Sequence, residues 1–112
     1  MTPTQRSEGE GCLVVYTTCS AGRDAEFNSW YDEIHIPEVL ALGPFIRARR
    51  YRIPDTQFMP QKHTYLALYE FRGDAGKAIE ALNAAAGKLR MSDTMGDAFV
   101  TAGVALGPAQ QV

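Results

Sequence analysis

The run W-Y-D-E-I-H-I-P-E-V-L, Trp30 to Leu40, sets a histidine among carboxylates and aromatics just ahead of a proline. An unperturbed imidazole ionises near pH 6.5, so His35 can give or take a proton close to neutrality. Glu38, three residues on, would orient it if the helix continues. His63 and the tyrosines Tyr16 and Tyr65 extend the set. Proton transfer on a small carbonyl or phenol compound needs such groups: the imidazole abstracts the proton and a phenol steadies the developing oxyanion. Each group has a plainer role beside that one. A histidine near a helix end caps carbonyls, His63 sits in water at an edge, and a buried tyrosine packs in a core or interface with its hydroxyl satisfied. Asp32 and Glu33 read as solvated helix surface.

These side chains depend on the elements that carry them. Pro37 has no N–H to return to the carbonyl of Glu33 and disfavours helical geometry at Ile36, so a helix over Arg23 to Leu42 should kink or restart there. Phe27, Trp30, Tyr31 and Ile34 share one face of it and form an apolar wall, with His35 one turn beyond Tyr31. Gly43 and Pro44 stop this helix. Cys12 to Cys19 ahead of it reads as a strand, as do Phe45 to Ile53, His63 to Phe71 and Phe99 to Leu106. Pro54 to Pro60 forms a loop between prolines, and helical spacing of apolar residues predicts a second helix over Asp74 to Arg90. Its alanines Ala78, Ala81, Ala84, Ala85 and Ala86 would leave room for a cavity walled opposite by Trp30, Tyr31 and Phe27. Alanine's helix preference alone also accounts for them.

The order β-α-β-β-α-β predicts an α+β, ferredoxin-like fold: a four-stranded antiparallel sheet with two helices on one face. Alternation puts His63, Tyr65, Ala67, Tyr69 and Phe71 on one side of the third strand and Leu66 and Leu68 on the other, so both faces are apolar. Helices cover one face. The second is expected to pack against another copy in a twofold homodimer.

The helix motif followed by G-P-F-I-R-A-R-R-Y, together with this element order, resembles the dimeric α+β barrel superfamily and within it the EthD-like small proteins. The likeness runs from Cys12 to Leu106. It implies a pocket in each subunit between sheet and helices. Polyketide cyclases, lactone isomerases, cofactor-free monooxygenases and haem proteins all occur on this fold, so the fold does not choose a reaction.

Composition bounds the rest. The 112 residues, 46% hydrophobic and 21% charged, suit one domain, expected over residues 11–107 with a flexible tail at 1–10 and another at 108–112. A net charge of -2 gives no general pull towards nucleic acid, although Arg47, Arg49, Arg50 and Arg52 cluster on one strand. An inward-facing pair of these would meet a substrate carboxylate or phenolate by bidentate pairing, with Arg49 the expected contact. Solvent or the dimer mate is the plainer partner. Cys12 and Cys19 would lie about 23 Å apart in an extended strand and cannot bridge each other. Unpaired thiols, a polar N-terminus and the lack of an apolar run long enough to span a bilayer point to a cytoplasmic protein without membrane contact. No G-x-G-x-x-G, Walker loop, H-E-x-x-H or G-x-S-x-G is present, and no metal site is expected.

The expected function is therefore a cofactor-independent enzyme of the isomerase, cyclase or lyase type, acting on a small hydrophobic carbonyl or aromatic compound. His35 moves the proton, with Tyr16, His63 or Glu38 assisting and Trp30, Tyr31, Phe27, Tyr65 and Arg49 binding the substrate. Two alternatives accompany it: a cofactor-free monooxygenase of phenolic or polyketide-like compounds, and a non-catalytic dimer that binds a small ligand. His35 or His63 as an axial haem ligand is a further option.

Overall fold

The computed structural model describes residues 10–112, so of the expected N-terminal tail only Glu10 is included. β-Branched and aromatic residues build strand β1, Gly11–Cys19, and a helical arm follows in three parts: α1 (Asp24–Trp30), a π turn (Tyr31–His35) and α2 (Ile36–Leu40). Then come β2 (Phe45–Arg52), β3 (Tyr65–Phe71), α3 (Ala75–Ala85) and β4 (Met95–Val104). The sheet order is β2-β3-β1-β4 with every pairing antiparallel, which is the ferredoxin-like α+β arrangement expected.

The effect of Pro37 differs from a kink. The Ile36 N–H bonds to the Tyr31 carbonyl five residues back, and His35 and Ile36 keep right-handed helical angles. One wider turn lies next to the missing donor, and the arm runs on without a break. Asp74 caps α3 by accepting from the Lys77 N–H at 3.1 Å. That helix ends five residues short of the expected Arg90, because Ala86 is extended and Gly87 takes a φ of +84°. Strand β3 begins at Tyr65, leaving His63 in the preceding loop, and β4 begins four residues earlier than expected.

The register assigns the two sheet faces. Leu13, Val15 and Thr17 lie opposite Tyr69, Ala67 and Tyr65, and with Phe71 they face the helices. Against them pack Phe27, Trp30, Tyr31 and Val39 from the arm and Ala78 from α3. Gly11 lies so close to the Phe71 ring that no side chain fits there. The opposite face carries Val14, Tyr16, Leu66, Leu68 and Phe99 and has no helix on it; Phe99 is 56% exposed.

Candidate active site

A cavity of about 310 Å³ opens between the sheet and the helical layer. Tyr31, His35 and Val39 border it from the arm, and Leu13, Val15 and Tyr69 from the sheet. Leu82, Asn83 and Ala86 of α3 close another side, while Leu89 and Met91 come from the segment that follows. No charged side chain lines it.

His35 reaches this space because it closes the π turn. Its ring stacks on Trp30 with centroids 4.8 Å apart and meets Tyr31 edge-on at 5.0 Å. Nδ1 is buried without a hydrogen-bond partner among the described residues. Burial lowers the pKa of the imidazole, opposed by the negative charge of Glu38, so the ring is neutral at pH 7 and its charged form is disfavoured. Glu38 itself is engaged elsewhere. It accepts from the Arg90 N–H at 2.9 Å and from Arg90 Nε at 3.1 Å, which hold its carboxyl below the usual range. Trp30 Nε1 donates to the Arg90 carbonyl at 2.8 Å, so Trp30 and Glu38 together pin the segment that carries Leu89 and Met91 across the cavity.

The other expected site residues divide between the two sheet faces. Tyr31 lines the cavity; Phe27 is wholly buried beneath it, and Trp30 backs His35 without being part of the lining. Tyr65 donates to Asp24 Oδ2 at 2.6 Å and accepts from Asn28 at 3.4 Å, away from the lining. Tyr16 projects from the uncovered face and meets His63 there, with ring centroids 5.7 Å apart. The sheet thus separates Tyr16 and His63 from His35, and these three do not form one site. Arg49 pairs in register with Leu68 on the uncovered face, so the arginine that turns inward is Arg50. The alanines divide too: Ala78 and Ala85 are buried by close packing, and Ala86 borders the cavity.

Arg50 and Tyr69 are the residues that sequence reasoning did not assign to the site. The Arg50 guanidinium lies 4.4 Å from the Tyr31 ring centroid, 5.3 Å from that of Tyr65 and 5.5 Å from that of Phe27. It bonds Asn28 Oδ1 at 2.8 Å and Asp32 Oδ1 at 3.1 Å, so Asp32 is an ion-pair partner as well as a surface group. The Tyr69 hydroxyl donates to that of Tyr31 at 3.2 Å. Among the described residues no cluster of three metal-ligating side chains occurs, and no helix is long and apolar enough to cross a membrane.

Sheet order, covered cavity and uncovered opposite face define the ferredoxin-like α+β fold, and solved structures share it. The model of a domain of unknown function, DUF4286, matches residues 12–88, and the chain belongs to that family. A search of curated proteins returns no match. A dimeric ferredoxin-like protein from an uncultured marine organism superposes with a TM-score of 0.57 at 10% identity, covering 99% of this chain and 100% of that one. The haem degrader MhuD of Mycobacterium tuberculosis, with two haems bound in its active site, gives 0.56 at 13% identity, covering 89% and 99%. SnoaB from Streptomyces nogalater, a cofactor-independent oxygenase solved as a mutant, gives 0.50 at 19% identity, covering 93% and 96%. An EthD family protein from Bacillus halodurans shares the fold as well, at 13% identity, a TM-score of 0.52 and 85% and 96% coverage. The expected isomerase, cyclase or lyase chemistry has no counterpart in the named activities of these neighbours, which are oxygenation and haem degradation, and that reading is set aside.

Proposed function

We propose that this chain is a cofactor-free monooxygenase of small phenolic or polyketide-like aromatic compounds, working as a homodimer. The observation that carries the reading is His35: a neutral imidazole bordering an apolar cavity, with its charged form disfavoured by burial. The cofactor-independent oxygenase among the similar folds supports the same direction. The dimeric neighbour and the apolar uncovered face support the assembly. Free cysteines suit a reducing cytoplasm.

The chemistry asks little of the protein beyond a base and a dry cavity. His35 takes a proton from the phenol or from an activated ring CH₂, and the electron-rich anion passes electrons to O₂. Insertion of one oxygen atom turns the CH₂ into a carbonyl; the other oxygen leaves as water with the two hydrogens, so R₂CH₂ + O₂ gives R₂C=O + H₂O. Apolar walls keep solvent from the anion. Haem is a poorer match. The lining offers one imidazole and no cation to meet its propionates.

Oxygen uptake decides the matter. Purified, chelator-treated protein given a panel of polycyclic phenols and anthrones should consume one O₂ for each quinone formed, and His35→Ala should abolish it. Turnover that persists without oxygen, or uptake indifferent to His35→Ala, would overturn the proposal.

A further inference from the structure

Within the cavity the polar side chains are His35, Asn83 and the tyrosines Tyr31 and Tyr69. Both tyrosines are nearly inaccessible, at 1% and 2% exposure, and their hydroxyls pair at 3.2 Å. With Tyr69 donating to Tyr31, the pair uses one of its two O–H groups. The Tyr31 proton has no acceptor among the described residues. A buried spare donor on a residue that borders the cavity is costly until something accepts from it. The Arg50 guanidinium lies over the Tyr31 ring, 4.4 Å from its centroid, and does not line the cavity. A cation on a ring face draws electron density from it and strengthens its hydroxyl as a donor.

We propose that the Tyr31–Tyr69 hydroxyl pair is the donor site that receives the oxygen of a bound phenol or ketone, with Arg50 as its positioning residue. This deepens the monooxygenase reading and rests on it, since it names the substrate group that the cavity recognises. Burial raises the pKa of both tyrosines, so they keep their protons and act as donors. Arg50 opposes that rise in each. The Tyr31 ring lies edge-on to His35, so donor pair and base share one cavity. A phenol held here gives its proton to the imidazole, and the oxygen left behind is the charge that the hydroxyls stabilise.

Two probes of similar shape test this: 4-nitrophenol, which carries the oxygen, and 4-nitrotoluene, which replaces it with a methyl group. Wild-type protein should prefer 4-nitrophenol in calorimetric titration. Tyr69→Phe and Tyr31→Phe should each weaken 4-nitrophenol by about tenfold and leave 4-nitrotoluene within about twofold. Arg50→Met should raise the pKa of bound 4-nitrophenol, read from its visible absorption, and Arg50→Lys should restore it in part. Equal affinity of wild type for the two probes, or a preference that survives both Tyr→Phe changes, overturns the donor site. The oxygen-uptake result then still stands or falls by itself. If neither probe binds wild-type protein, the donor site and the phenol-binding cavity are both lost.

Discussion

The two faces of this sheet are made of similar residues and end in different states. Each carries leucine, valine and tyrosine, and each brings a histidine close to a tyrosine: His35 beside Tyr31 on the covered face, His63 beside Tyr16 on the other. What separates them is burial. Beneath the helices the imidazole is desolvated and its charge disfavoured, whereas His63 stands in a loop on a face that no helix covers. The same pair of residue types borders the covered cavity in one place and lies on the uncovered face in the other. Composition therefore says less about a site than which side of a sheet it occupies.

Mutations should separate the faces, most strongly through stability. Phe27→Ala removes a wholly buried ring and should cost about 3–5 kcal/mol in denaturant unfolding, at any protein concentration. Phe99→Ala should show a loss that shrinks on dilution, the outcome expected where a second copy covers its exposed ring. A concentration-independent loss at Phe99 would mean that this face is core of another kind. Next in size is activity. His35→Ala should lower oxygen-dependent turnover by about 10²–10⁴-fold, while His63→Ala and Tyr16→Phe stay within a few-fold of wild type. Equal losses at His35 and His63 would break the division between the faces. Leu68→Asp, a charge placed on the uncovered face, should shift sedimentation from dimer to monomer and leave the fold's circular dichroism intact. A dimer that survives it must use another surface.

The smallest effect is a pH slope. His35 titrates lower in the folded chain than in the unfolded one, so below about pH 6.5 the unfolded state binds the extra proton. Stability from this group is present above that value and is lost as pH falls towards the folded pKa. Comparing urea midpoints at pH 7.5 and 5.5 should give a smaller drop for His35→Gln than for wild type.

Much of this was legible in the chain. The element order came from turn residues and periodicity, and His35 stood out because Pro37 marked its helix. Alternation along β3 separated Tyr65 and Tyr69 from Leu66 and Leu68, but a period of two does not say which set faces the helices. Tyr16 was placed by that ambiguity beside His35, and His63 by a strand drawn two residues too long. Arg50 was hidden among four arginines, distinguished only by Asn28, Asp32 and the aromatic rings that receive it. Glu38 was matched to the histidine three residues away, when its partner Arg90 lies 52 residues along the chain. Local spacing cannot report a contact of that kind.

The π turn has a geometric result of its own. Phe27, Tyr31, His35 and Val39 follow one another at intervals of four, and in a regular α-helix each such step overshoots a full circle by about 40°. Three steps would swing Val39 well away from Phe27, yet both are buried in one core. The wider turn ahead of Ile36 takes back part of that drift. It works as a phase adjustment: two core anchors stay aligned at the ends of the arm, and the imidazole between them is dialled onto the cavity. A single residue gained or lost in that turn would change the phase of the arm and rotate His35 away from the cavity it now borders.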